Sequence, residues 1–350
     1  MAHRYKVREI AQQAGLSEAT VDRVLHGRPG VREDTRAEVQ QAIEDLDKQR
    51  TQLRLNGRKF FVDIVMQAPE RFCAEVRAAL EAELPTLAPA LVRARFHFRE
   101  TESVDDAVAT LAGIRSRGSH GVILKAPDRP EVAAAVDDLV AGGIPVVTYV
   151  SDIPASTRVA YVGIDDRAAG ATAGYLVDRF FGRGSGDGDG EDAAVLVTLS
   201  HDSFRAEGER EAGFRRALRD LAAAEQRPPR RVVDIAQSSG LDDTVEDLVT
   251  EALQRDPAVA GVYSIGGGNA ATVRAFARSG RPCRVFVAHD LDTDNRRLLA
   301  EGALSAVLHH DLRADVHRAC RLLMQAAGAV TGVRTGSSPV HVVTPYNVPG

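Results

Sequence analysis

The sequence predicts an α/β protein: an all-α helix-turn-helix head at the N-terminus, then a two-lobed body of parallel α/β sheets. Three observations predict it. The first 50 residues place their apolar side chains at helical spacing. From Phe60 onward, short β-rich runs alternate with amphipathic helical stretches. Those runs number ten or eleven, too many for one ordinary α/β sheet, so two sheets of about five strands fit better.

In the head, Val7, Ile10, Ala11 and Ala14 recur at i, i+3, i+4 and i+7 and give a first helix one apolar face. Gly15-Leu16-Ser17 is a turn, because glycine takes positive φ without strain and Ser17 can cap the next helix. That second helix runs from Glu18 to His26, with Val21, Val24 and Leu25 inward, and Gly27-Arg28-Pro29-Gly30 breaks it. A third spans Arg32 to about Gln49, with Val39, Ile43 and Leu46 on one face and Glu33 and Asp34 complementing the dipole of its first turn.

Strands are predicted at 60–67, 91–98, 121–126, 145–150, 159–165, 193–200, 230–237, 261–266, 284–290, 303–309 and 340–346. Most precede amphipathic helices, such as Glu131 to Ala141 and Arg167 to Phe181. The expected domains are a head at 1–50, a hinge or linker at 51–59 and a body at 60–350. Within the body, lobe one takes about 60–165 and 311–339, and lobe two about 166–310 and 340–350. Residues 182–192, alternating Gly with Asp and Ser, read as a flexible surface loop. They lack the spacing and terminal ligand of an EF-hand calcium site.

Composition narrows the classes. At 44% hydrophobic and 27% charged, the 350 residues suit a folded globular chain rather than a disordered one. No apolar run is long enough for a membrane span, and the start MAHRYKVREI is too polar for a signal peptide, so the cytoplasm is the expected compartment. Cys73, Cys283 and Cys320 are odd in number and far apart, and form neither a zinc pattern nor a disulfide framework. The net charge of −5 hides an asymmetry: residues 1–60 carry +3 and the rest −8. A small basic head on an acidic body suits contact with a polyanion at one end only.

Two helices joined by a glycine turn, with a third behind them, can expose one helix to a major groove. The start of the second helix, Ser17-Glu18-Ala19-Thr20, would face base edges. Arg23, Arg28 and Lys6 would neutralise phosphates, and His26 closes the same face. The alternative for each basic residue is a solvated surface charge, and for Glu18 a complement to the helix dipole. The run Arg8-Glu9-Ile10-Ala11-Gln12-Gln13-Ala14-Gly15-Leu16-Ser17-Glu18-Ala19-Thr20-Val21-Asp22-Arg23-Val24-Leu25-His26-Gly27 resembles the head of the LacI-type transcription regulators. Val31, Thr35-Arg36, Val39, Ala42 and Leu46 continue the likeness. Asp22 stands where the family usually has Ser, and Asp47 to Gly57 lacks the usual aromatic and Pro-Asn pair. The resemblance implies a homodimer or tetramer reading a pseudo-palindromic double-stranded DNA operator. A hinge leucine, Leu55 or else Leu53, would wedge into the minor groove or pack against a partner hinge.

In two-lobed α/β proteins the ligand sits at the carboxyl ends of strands. Residues just past the predicted strands are therefore the candidates: Gln67, Glu70, Arg71 and Phe72, then Lys125, Asp152, Phe204, Arg205, Asn269, Asp290 and His310. Carboxylates and amides bond hydroxyl pairs while aromatics stack on a ring face, so the set suits a small carbohydrate-like ligand: sugar, polyol or sugar acid. The body also resembles the family's effector domain, which is similar to the periplasmic sugar-binding fold, through Gly143–Thr148, Tyr161–Asp166 and Ala169-Gly170. That resemblance implies that Arg205 reaches the sugar, that Asp290 binds its hydroxyls, and that His310 falls where a Gln is common. Lys125 and Arg205 together would favour an acidic or phosphorylated sugar.

An enzyme is the competing expectation. Gly266-x-Gly268-x-x-Ala271 follows a strand and opens a helix, with Asp290 about 20 residues on, like a dinucleotide fingerprint. It lies on a late strand rather than in the first βαβ unit of a domain. His309-His310-Asp311 and Ser200-His201-Asp202 are contiguous, so neither supplies metal or triad geometry by itself. A ligand-responsive repressor with no cofactor, no metal and no catalytic residue is the first expectation. A cytoplasmic α/β enzyme with a nucleotide at Gly266–Asp290 is the second.

Overall fold

The computed structural model describes residues 4–55, 59–87, 90–182 and 193–349, the side chains of 48–55 excepted. The Gly/Asp-rich segment lies outside them beyond Gly182. The head comprises α1 (Val7–Ala14), α2 (Glu18–Leu25) and α3 (Glu33–Leu55). Gly15 ends α1 at φ 66°, and the Ser17 hydroxyl caps α2 by accepting the Thr20 N–H. Tyr5, Ile10, Ala11, Val21, Val39 and Ala42 are buried between the three helices. Tyr5 comes from outside the predicted helices, and its hydroxyl donates to Asp47 at 2.5 Å.

One expectation changes here. The segment 51–59 was expected to be a separate hinge, but α3 continues through it as far as Leu55. Lys48 to Leu55 contains no Gly or Pro, so nothing in it stops a helix before Gly57. The side chains of Leu53 and Leu55, the hinge candidates, lie outside the described residues.

Lobe one alternates β1 (Lys59–Gln67), α4 (Glu70–Glu83), β2 (Leu91–Arg99), α5 (Val104–Arg117), β3 (Gly121–Lys125), α6 (Pro130–Ala141), β4 (Val146–Tyr149) and β5 (Ala160–Val162). Lobe two alternates α7 (Asp166–Phe181), β6 (Ala194–Thr198), α8 (Arg205–Ala224), β7 (Val232–Ile235), α9 (Asp242–Arg255), β8 (Val259–Ser264), α10 (Asn269–Arg278), β9 (Val285–His289), α11 (Thr293–Ala300) and β10 (Ala306–His309). The chain then returns through α12 (Leu312–Ala326), whose buried side chains pack into the core of the first sheet, and ends with β11 (His341–Val343) on the second.

The strand orders are β2-β1-β3-β4-β5 and β11-β10-β9-β8-β6-β7. All pairs are parallel except β10–β11, an antiparallel edge that the all-parallel expectation missed. The central strands β3, β4, β6 and β9 are buried almost throughout, because helices cover both faces of each sheet. Each sheet reverses its winding once, between β1 and β3 in lobe one and between β6 and β8 in lobe two. A crevice opens at such a point because the flanking helices lie on opposite faces.

Two helices of lobe two approach unusually closely. A Cβ on Gly170 of α7 would meet the Arg210 carbonyl of α8, and one on Gly213 would meet the Arg167 carbonyl. Only glycine permits that approach, and it brings the Arg210 side chain back to Asp166 at the lobe junction, 2.8 Å away.

Candidate functional site

Two places bear on function: the outer face of the head and the crevice between the lobes. On the head, Ser17, Glu18, Ala19, Arg23, His26, Arg28 and Lys6 are all exposed, and Thr20 is half-buried. Packing one apolar face of α2 against α1 and α3 turns its other face outward. Part of the polar chemistry is already used within the head. The Ser17 and Thr20 hydroxyls lie 2.8 Å apart and bond each other. Asp22 draws in two of the expected DNA contacts, with His26 Nδ1 at 3.1 Å and Arg28 at 3.2 Å. Arg23 has no such partner among the described residues.

Replacing Asp22 with serine should therefore release Arg28 and remove a negative charge from the face. The expected result is non-specific DNA binding tightened several-fold and a salt slope steeper by roughly one unit, measured by fluorescence anisotropy over a salt series. An unchanged slope would mean that Arg28 does not reach phosphate.

The cleft lies at both winding reversals. It is lined from lobe one by Pro69, Arg71 and Phe72 after β1, Lys125 at the end of β3, and Val150 and Ser151 after β4. Lobe two supplies Ser200 and Phe204 after β6, Glu207 and Arg210 of α8, Gly266, Gly267 and Asn269 after β8, and His289, Asp290, Asp292 and Asn295 around the end of β9. With the lobes in this arrangement the space between them is about 80 Å³.

The lobes are closed on each other. Arg71 of lobe one donates to the Gly240 carbonyl of lobe two at 2.8 Å and lies 3.7 and 3.5 Å from Asp242 and Asp292. The Asp128 N–H donates to the Ser203 carbonyl at 2.9 Å, and the Ala206 N–H to the Ser151 hydroxyl at 3.3 Å. Val150 sits at φ 63°, in the left-handed region that a β-branched side chain avoids. Strain of that kind collects where a site must hold one geometry.

Burial sets the charges. It pushes the Lys125 ammonium down to about 8, and the Asp292 carboxyl up to about 6 against the pull of Arg71. It lowers His289 well below the usual histidine range, so that this imidazole is neutral and bonds the Tyr263 hydroxyl at 2.8 Å. It holds Asp166 above the usual carboxylate range even with Arg210 beside it. Burial also opposes the charge on Arg210, but Asp166 and Asp290 more than offset it.

Of the residues expected at the ligand, Arg71, Phe72, Lys125, Phe204, Asn269 and Asp290 line the cleft. The others do not. Gln67 lies behind the wall, where its backbone carbonyl accepts from Lys125 at 2.8 Å. Glu70 is exposed on the first turn of α4. Asp152 is held by Arg158, the Thr148 hydroxyl and the Ile153 N–H, bonds internal to lobe one. Arg205 points to the outer rim, 3.7 Å from Asp128 and 3.3 Å from Glu209, because position one of α8 faces away from the crevice. Position six of that helix carries the inward arginine, Arg210.

His310 stands one layer behind Asp290. Its Nδ1 donates to Asp315 at 2.5 Å, which leaves Nε2 facing Asp290 Oδ1 at 3.7 Å. One face of Phe204 is taken by the Lys125 ammonium, 3.9 Å over its ring, and the residue as a whole is buried.

Glu207, Arg210, Asp292 and Asn295 were missed because only strand ends were searched. Glu207 and Arg210 are three apart on one helix, and Asp292 caps Asn295 at the start of α11, so helical spacing from each strand end would have found them. Glu207 holds the β6–α8 turn, accepting from the Ser200 N–H at 2.7 Å and from the Ser200 hydroxyl.

The glycines of the dinucleotide-like motif are explained by packing. A Cβ on Gly266 would meet the Ser200 backbone and one on Gly268, at φ 73°, would meet the Val245 side chain, while at Gly267 between them the Arg71 guanidinium occupies the space beside the loop. Among the described residues no cluster of His, Cys, Asp and Glu could hold a metal, and no helix is long and apolar enough to cross a membrane.

Comparisons with known proteins agree with this division. Residues 6–48 match the family model for bacterial regulatory proteins of the lacI family, and residues 64–329 that for the periplasmic binding protein domain. The chain is similar to the HTH-type transcriptional regulator MalR of Streptomyces coelicolor, 26% identical over 299 residues that cover 81% of this chain and 71% of the relative. Among solved structures it is similar to GanP, a glucose-galactose binding protein from Geobacillus stearothermophilus, with a TM-score of 0.70 at 19% identity, covering 83% of this chain and 99% of that one. A solute-binding protein of an ABC transporter from Burkholderia graminis, in complex with D-arabinose, aligns with a TM-score of 0.66 at 20% identity, covering 84% and 97%. At such identities the likeness to these two structures is one of fold.

Proposed function

The chain belongs to the lacI family of bacterial regulatory proteins, its DNA-binding head followed by a periplasmic binding protein domain, and from that premise we propose that it is a repressor released or engaged by a small carbohydrate-like ligand. It acts in the cytoplasm as a homodimer whose two heads read a pseudo-palindromic operator. The observation that carries this reading is the pairing, in one chain, of an exposed α2 face with a cleft that both lobes line. The names of the relatives support it, one being a transcriptional regulator, one a glucose-galactose binding protein and one a solute-binding protein in complex with D-arabinose.

The mechanism follows from the lobe contacts. A ligand between Arg71, Lys125, Asn269 and Asp290 touches both lobes at once, so it favours the closed arrangement over any open one. If the operator prefers one arrangement, ligand and DNA bias each other by the same free energy, of order 1–3 kcal/mol. Three strand crossings tie the lobes together, and Ser338 on the last of them bonds the Gly163 carbonyl at 2.8 Å, so a lobe rotation is felt where the chains cross.

The test is selection of DNA from a random pool by the full-length protein, followed by titration of the selected duplex with a panel of neutral and acidic sugars. Sequence-specific binding changed at least fivefold by one compound is expected. Absence of any selected sequence would overturn the reading. With the duplex in hand, Arg23→Ala should weaken binding across sequences and lower the salt slope by roughly one unit. Unchanged affinity would remove α2 from the DNA face.

A further inference from the structure

Two charges on opposite walls of the cleft are incompletely partnered: Lys125 has no ion pair among the described residues, and Asp290 has His310 Nε2 at 3.7 Å but no hydrogen bond to its Oδ1. Lys125 is the first. Arg71 lies beside Asp242 and Asp292, and Arg210 is paired with Asp166, but among the described residues no carboxylate pairs with Lys125. Its Nζ has one backbone carbonyl, that of Gln67, and the face of Phe204. A desolvated ammonium without a counter-charge is costly and is found where an anion completes it.

Asp290 is the second. It is held at φ 64°, and its Oδ1 is buried without a hydrogen-bond partner. Around it His310 Nε2 and Asn269 Oδ1 are also buried and unpartnered, and both residues are more than nine-tenths buried. Asp290 Oδ1 and Asn269 Oδ1 are both acceptors. The ligand must therefore bring donors to this wall and an acceptor with negative charge to the other.

Resting on the regulatory reading above, we propose that the ligand is a sugar acid, its carboxylate held by Lys125 and its hydroxyls by Asp290 and Asn269. A phosphorylated sugar fits less well. One unpaired cation balances one negative charge, and the carboxylates of Glu207 and Asp292 in the same walls would repel a dianion. Lys125 is then the residue that discriminates acid from neutral sugar.

The test is calorimetric titration of the full-length protein with gluconate, galactonate, glucuronate and galacturonate, and with glucose, galactose, sorbitol and galactitol, at pH 7 and pH 9. At least one acid should bind tenfold or more tighter than its neutral counterpart at pH 7. Its affinity should fall about tenfold for each pH unit above about 8, because Lys125 loses its proton there, while the affinity of a neutral compound stays flat. The charged and titratable groups acting on Lys125 are Glu207 and Arg210 of α8, Asp290 beyond β9 and Cys73 of α4. Burial pushes the Cys73 thiol up to about 11, so it stays neutral across the range.

Lys125→Met should cost the acid tenfold or more relative to whatever it costs the neutral counterpart. Lys125→Arg, which keeps the charge, should retain the preference and guards against a folding defect in the first variant. A neutral sugar that binds as tightly as any acid, a panel that does not bind at all, or acid binding indifferent to Lys125→Met would each overturn the proposal. Operator binding without ligand, measured on the same preparation, reports separately on the regulatory reading.

Discussion

Replacing Ile10 with alanine is expected to abolish operator binding while leaving the ligand affinity of the cleft unchanged. Ile10 is fully buried at the centre of a head whose core, among the described residues, holds five other buried side chains. Truncating a buried isoleucine costs about 2–5 kcal/mol, and a core this small supplies about 3–5 kcal/mol in all. The head should then be largely unfolded at 25 °C, and an α2 that is not held against α1 and α3 cannot present Ser17 to Arg23 in one geometry. Fluorescence anisotropy should show at least a hundredfold loss on the selected duplex, and limited proteolysis should cut within residues 5–47 before the body. Calorimetry should show the cleft unaffected, because the large hydrophobic clusters of the body draw on no residue of the head. Retained operator affinity would mean that the head is stabilised by something beyond its own core.

The second large effect is on stability. Arg210→Met leaves the Asp166 carboxylate at the lobe junction without its charge partner, 2.8 Å away in the wild type, with only the Tyr161 hydroxyl at 3.2 Å. Breaking a buried pair from one side costs about 3–5 kcal/mol, because the remaining charge is not compensated. The loss should depend on pH in a definite direction. Burial already holds the Asp166 carboxyl above its ordinary value in the presence of Arg210, and removing the arginine raises it further. A raised carboxyl is tolerated while protonated and penalised once it must ionise, so the variant loses stability as pH rises above the ordinary value of about 4. Urea midpoints between pH 5 and pH 8 should therefore separate progressively from those of the wild type. The double variant Arg210→Met, Asp166→Leu should recover most of the loss, since a buried pair replaced by apolar groups of similar size is often close to neutral. A double variant as unstable as the single one would place the cause in packing against Gly170 instead of charge.

The two halves of the molecule were legible to different depths. All eleven strands were predicted within a few residues, the central ones because strands buried on both faces read as continuous apolar runs and edge strands β2, β7 and β11 because their β-rich runs alternate with helical stretches. The three head helices were legible through spacing and Ser17. The antiparallel edge β11 was not, because a three-residue strand carries the same apolar pattern in either direction. The continuation of α3 through residues 51–55 was hidden by the expectation of a hinge.

At the site, six of eleven expected ligand residues line the cleft, and the misses share a cause. Looking past strand ends finds a residue's place along the chain but not which way a helix turns it. Arg205 and Arg210 are both near the end of β6, and only the packing of α8 on α7 through Gly170 and Gly213 decides that Arg210 faces inward. The pairing of Asp22 with Arg28 depends likewise on how Gly27 turns the chain back.

What the sequence determined by itself was local pattern and order: helices at a period of 3.6, strands as short β-rich runs, a basic head before an acidic body, and polar residues wherever a strand stops. These are local properties, set by neighbours within about ten positions. The tertiary structure alone decided which distant charges meet. It left Lys125 without a carboxylate and gave one to Arg210, because ion pairing depends on distances between segments that backbone propensity does not encode.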